Sequence, residues 1–357
     1  MKNKVSITQL LSTDHTKQIK SKNTSKNLTF DFIRGLAVVF MVLIHVLGTY
    51  ANESVEYSFF YDFIDFLGSP PAAPVFMLSM GVFFVLSSKS DNLGRNLKRG
   101  FKLLFLGFLL SFIRSDLLMF TLDSKSFDIK HLVAFWEVDI LQFAGCAYIL
   151  MSLIKHYLKK PIWWLIIAVS VLLISPMVWG ITSPNPILNY IFNFLWSSND
   201  FVFFPIFAWL YYPLIGMILG VRIKMTSDIN SLLNSLIKPG LILLAIGSVI
   251  TILDVDFHIG DYYRSGPGSM IWILGFVFTW IALCNRLIYK VKENKFFDII
   301  YYWGRQTTTI YFVHWLIVSW GTVLLGNESY DYLGSIILMG GFIIATHYLS
   351  KLFKITI

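Results

Sequence analysis

A guanidinium and an imidazole, Arg34 and His45, lie eleven residues apart inside one apolar run, Phe32–Tyr50. The run is long enough to cross a bilayer as a helix. An ionisable side chain at membrane depth costs a few kcal/mol or more, so each of the two is a functional candidate by default. On a helix, eleven residues return to within roughly 20° of the starting azimuth and climb about 16 Å. One stripe of the first helix therefore carries a fixed cation toward one face and a titratable base toward the other. An imidazole with its ordinary pKa of ~6.5 can take a proton from a nucleophile at neutral pH. The plainer alternatives are an arginine that snorkels to the interface and a histidine that finishes a helix.

The elements that must position these groups follow from composition. Of 357 residues, 56% are apolar and 14% charged, whereas soluble domains carry about 25% charge. Ten apolar runs have spanning length, at about 32–50, 71–88, 101–119, 138–154, 161–181, 201–221, 238–253, 268–285, 306–325 and 333–350. The fold class expected is an all-α integral membrane protein of about ten transmembrane helices. Pro186–Trp196 is apolar but too short to span.

Assigning the loops alternately from an inner N-terminus puts 24 of the 29 Lys and Arg inside, against 6 of the 21 Asp and Glu. The outer segments hold Arg114, Lys125, Lys130 and Arg264 with 15 acidic residues. This is the positive-inside distribution, and it puts both termini in the cytoplasm. The net charge of +8 then comes from the inner rim, which suits lipid headgroups or an anionic ligand and gives no reason to expect nucleic acid. Residues 1–28 read as a flexible polar cytoplasmic tail without a cleavable signal, and 29–357 as a single transmembrane domain. Cys146 and Cys284 both fall within spans, so neither a disulfide nor a metal site is expected. The second span opens on Gly68-Ser69-Pro70-Pro71-Ala72-Ala73-Pro74. Prolines suit a first helical turn, and small residues allow close approach of a backbone or ligand. The positive end of that helix would face outward near His45, where it could steady an oxyanion.

The segment Leu28-Thr29-Phe30-Asp31-Phe32-Ile33-Arg34-Gly35, continuing to His45, resembles the start of the transmembrane acyltransferase superfamily. That superfamily includes the heparan-α-glucosaminide N-acetyltransferases, with their bacterial relatives, and the bacterial integral-membrane O-acyltransferases. Pro74…Met80-Gly81, Lys98-Arg99…Gly107, Asp139-Ile140-Leu141-Gln142…Gly145 and Gly304…Tyr311-Phe312-Val313-His314 are similar to later motifs of the acetyltransferases, in the same order. The likeness covers most of the first four helices and the ninth. The sequence departs from it at one point. In the lysosomal acetyltransferase the catalytic histidine lies in the outer loop after the first helix, yet residues 51–70 contain none. His45 is then the natural base, as the likeness to the O-acyltransferases also implies.

The resemblance implies transfer of an acetyl group from cytoplasmic acetyl-CoA to an extracytoplasmic amino sugar or glycan. Acetyl-CoA would be a co-substrate, with no tightly bound cofactor, and the place would be a bacterial cell membrane. A hydroxyl of an envelope polysaccharide is the alternative acceptor. His45 would be general base, with Asp65 or Asp62 orienting it or holding a cationic acceptor. Arg34, Arg95, Lys98, Arg99 and Arg305 are placed for the phosphates of the donor. Gln142 could donate to the acyl carbonyl, Asp139 could hold an amine, and His314 could touch substrate. Arg264, the only basic residue of its outer loop, could bind an anionic group of the acceptor or pair with Asp261. Asp31, three residues before Arg34, could pair with it on one helix face. Two rival readings are a proton-coupled transporter that uses His45, His314 and Asp139, and a membrane scaffold. Lipids are partners in any reading, and a homo-dimer is compatible with all of them.

Overall fold

The structure, a computed structural model, describes residues 7–122, 137–196, 202–292, 294–353 and 355, with side chains from Leu28 to Met119 and from Glu137 onward. Lys125 and Lys130 fall outside them. Every named element is helical. Helix α1, Ile7–Tyr50, holds the apolar stretch Leu28–Tyr50. It is followed by the short α2, Glu53–Glu56, then α3, Phe59–Gly68, and α4, Ala73–Leu86. Helix α5, Leu93–Ser111, continues through a π-helical turn, Phe112–Asp116, into α6, Leu117–Leu122. Next come α7, Ile140–Tyr157, α8, Pro161–Val178, α9, Pro186–Trp196, and the kinked turn α10, Ile206–Trp209. The chain goes on through α11, Tyr211–Met225, α12, Ile229–Ser235, α13, Ile237–Leu253, and α14, Val255–Ile259. It ends with α15, Pro267–Lys290, α16, Lys295–Arg305, α17, Thr307–Leu325, and α18, Tyr332–Leu352.

The chain is an all-α membrane protein. Eight segments of the described residues are long and apolar enough to span a bilayer. They match eight of the ten runs read from the sequence. The other two runs coincide with α5, which carries Arg95, Lys98, Arg99 and Lys102 on its first turns, and with α7. The second span is longer than its apolar run, because α3 leads into α4 across the break at Ser69–Ala72. Pro74 occupies the first turn of α4 as expected, where its missing N–H costs nothing.

Close backbone crossings set the packing around the site. Gly81 of α4 and Gly216 of α11 face each other so tightly that a Cβ on either would overlap the partner's carbonyl. Helix α1 is similarly crossed by α16, where Gly304 rests on the backbone of Asp31 and Gly35 on that of Ile300. This crossing redirects an expected ion pair. Asp31 pairs with Arg305, at 2.9 Å from Nε, while Arg34 reaches across to donate to Thr307 Oγ1 at 2.9 Å. Leu241, Ile242 and Val249 on α13, and Leu333, Ile337 and Ile344 on α18, are exposed, as a lipid-facing surface requires.

Candidate functional site

A cavity of about 220 Å³ lies between α1, the α3–α4 break, the start of α7 and α17. Its apolar wall includes Ala37, Val38, Met41 and Ile44 of α1. Polar groups gather on the rest: His45, Asp65, Ser69, Arg114, Glu137, Asp139, Thr307, Thr308 and Tyr311, with Tyr262 and Tyr263 from the loop before α15. The α4 N-terminus contributes Ala72 and Ala73. The first N–H groups of a helix have no partner within it, and Ala73 at this end lines the same cavity as His45.

His45 Nδ1 lies 3.0 Å from His314 Nε2, and the two rings are nearly parallel. Trp315 lies tilted against His45 with centroids 4.1 Å apart, and Arg114 lies over the same indole at 4.1 Å. Arg114 sits in the π-helical turn, 5% exposed. It pairs with Glu137 at 2.8 Å and with Asp139 at 3.2 Å. Asp139 Oδ2 also accepts from the Tyr311 hydroxyl at 2.7 Å. Burial pushes the Glu137 carboxyl above its ordinary range, and the Arg114 guanidinium pulls it back. Depriving such a buried pair of one partner costs about 3–5 kcal/mol. Among the described lining residues, three carboxylates (Asp65, Glu137 and Asp139) stand against one guanidinium.

The residues singled out from the sequence fall into three groups. His45, Asp65 and Asp139 line the cavity. Arg34 and His314 stand one contact behind it, through Thr307 and His45 respectively, with the Arg34 guanidinium 4.9 Å above the Phe83 ring. The others lie away from the lining. Arg95, Lys98 and Arg99 are exposed on α5, Arg99 over the Tyr148 ring at 5.0 Å. Arg305 is exposed beside Asp31, and Asp62 is exposed one turn before Asp65 on α3.

Gln142 is buried in a capping box with Asp139. Its amide donates to Ser111 Oγ at 3.0 Å and to the Glu137 carbonyl at 3.1 Å. Arg264 is paired with Asp261, which also accepts from the backbone of Tyr263. Arg114, Glu137, Tyr311 and Trp315 were not singled out in the sequence. Arg114 had a signal, since it stands within the apolar run 101–119 just as Arg34 stands within the first. Tyr311 belongs to the Tyr-x-x-His stretch that ends at His314.

An imidazole bordering an acidic cavity inside a helical membrane bundle fits the class of membrane-embedded acyltransferases. Residues 27–248 match the family described as heparan-alpha-glucosaminide N-acetyltransferase, catalytic, and the chain belongs to that family. In general terms this supports a membrane acetyltransferase. No match is found among curated proteins. The matched residues include Arg34, His45, Asp65, Arg114 and Asp139 but end before Tyr311 and His314.

Proposed function

We propose that this protein takes an acetyl group from acetyl-CoA on the cytoplasmic side and transfers it to the amine of an extracytoplasmic amino sugar. One observation carries the reading: the His45 ring borders a cavity whose lining is acidic overall, with three carboxylates and one guanidinium. Such a lining attracts an ammonium, and His45 is the nearby imidazole able to take its proton. The donor's phosphates rest on Arg95, Lys98, Arg99 and Arg305, exposed along the inner rim. The thioester arm passes Arg34 and Thr307 to reach the cavity.

The bound ammonium first gives one proton to solvent; the neutral amine nitrogen then attacks the thioester carbonyl, and the N–C bond forms as its second proton passes to His45. The oxyanion is steadied by the start of α4. The C–S bond then breaks, and the proton that His45 took from nitrogen passes to sulfur, giving an amide and free coenzyme A. A hydroxyl acceptor is the second reading, favoured by the placement of the base on the first helix, as in the O-acyltransferases. The setting is a bacterial cell membrane.

The test gives purified protein in detergent labelled acetyl-CoA with glucosamine-ended oligosaccharides and, separately, with their N-acetylated counterparts. Label should appear on nitrogen of the free amine only, and His45→Gln should lower turnover by about 100-fold or more. Label transferred equally well to the N-acetylated sugars would replace the amine reading by the hydroxyl one. Full activity of the His45→Gln protein would remove His45 as the base.

A further inference from the structure

The bonding of His314 leaves it a single role toward His45. His314 is fully buried on α17 and does not line the cavity. Its Nδ1 lies 3.2 Å from the carbonyl oxygen of Ile310, one turn earlier. A carbonyl only accepts, so Nδ1 carries the hydrogen, and Nε2 of the neutral ring is an acceptor. His45 Nδ1, 3.0 Å away, must therefore donate to it. The hydrogen of neutral His45 is thus held on Nδ1, and its Nε2 keeps the lone pair. That nitrogen forms no hydrogen bond among the described residues, and it belongs to a ring that lines the cavity.

We infer that His314 is a positioning residue that fixes His45 in the tautomer whose basic nitrogen serves the cavity. The inference rests on His45 being the base in the reading above. Packing supports it, since the tilted Trp315 ring lies against both imidazoles, with centroids 4.1 Å from His45 and 5.5 Å from His314. Tyr311 closes on the edge of His314 with centroids 5.2 Å apart. The hydrogen-bond chain ends at Ile310, whose carbonyl cannot take a proton onward. The proton that Nε2 of His45 gains from the attacking nitrogen therefore leaves by the same atom, to the departing sulfur. His314 steadies the imidazolium in between by accepting from Nδ1–H.

The experiment combines kinetics with 15N NMR of the full chain, histidine-labelled and in lipid bilayers, with the His45 signals assigned by their loss in His45→Gln. In the wild-type protein, His45 should be protonated on Nδ1 alone. His314→Leu should release the tautomer and lower kcat by about 100-fold, with both KM values held. His314→Gln sets a carbonyl oxygen near the place of Nε2. It should restore the Nδ1–H tautomer and bring kcat to within about tenfold of wild type. Protonation of wild-type His45 on Nε2 would overturn the inference, as would a His314→Leu protein with unchanged tautomer and kcat. Should His314→Leu not fold, the tautomers of the wild-type and Gln proteins decide. Unchanged kcat in His45→Gln would instead defeat the base assignment, leaving the tautomer measurement to judge His314 separately.

Discussion

Asp139 has two jobs that one substitution separates. Its Oδ1 caps α7 by accepting from the Ile140 N–H at 2.7 Å, and its Oδ2 faces Arg114 and Tyr311 at the cavity wall. Asparagine caps a helix about as well as aspartate, so Asp139→Asn keeps the cap and removes one negative charge. If the lining holds an ammonium, KM for the amine acceptor should rise by about tenfold, the equivalent of about 1.4 kcal/mol. KM for acetyl-CoA should not change, and steady-state kinetics with each substrate varied in turn checks both. The residue types behind this site were only partly legible. Arg34 and His45 stood out because ionisable groups are costly in an apolar run, and Arg114 met the same criterion but was assigned to a loop. Gln142 and Arg264 looked like ligand contacts because a sequence shows what a side chain can donate, not whether it has already done so. The Asp139-x-x-Gln142 spacing is also that of a capping box, and in the fold that local use claims the glutamine.

The crossing of α4 and α11 fixes α4, whose Ala73 and Phe76 line the cavity. Adding a methyl at Gly81 drives it into the Pro213 carbonyl, which is backbone and has no rotamer to yield. Gly81→Ala should therefore part the two helices and cost about 1–3 kcal/mol, read as a lower unfolding temperature in detergent. Gly340→Ala, where a Cβ meets nothing within 4 Å, is the control and should leave that temperature unchanged. Elements were more legible than site residues. Hydropathy marks a spanning helix strongly, and the small residues of α4 already pointed to a close neighbour. The π-helical turn and the α3 lead-in were not legible. A π turn depends on one extra residue accommodated in the helical ladder, and the carboxylates Asp62 and Asp65 kept α3 from reading as part of an apolar span.

For the whole molecule, the distribution of Lys and Arg leads us to propose that both termini lie in the cytoplasm. In a protein whose native cysteines, Cys146 and Cys284, are replaced, Ser329→Cys between α17 and α18 should react with an impermeant maleimide on intact cells. Ser227→Cys between α11 and α12 should react only after permeabilisation. The reverse pattern would invert the assignment and with it the side on which the donor binds. The two side-chain links between α1 and α17, Arg34 to Thr307 and His45 to His314, join these helices like rungs between two uprights. The rungs are spaced by eleven residues on one upright and seven on the other, about 16 and 10 Å. Neither upright can slide without breaking both rungs at once. An opening that admits an acceptor is therefore expected among the other lining segments, which include the α3–α4 break and the Tyr262–Tyr263 loop. His45 and Arg34 would then keep a fixed register along α1 whatever moves around them.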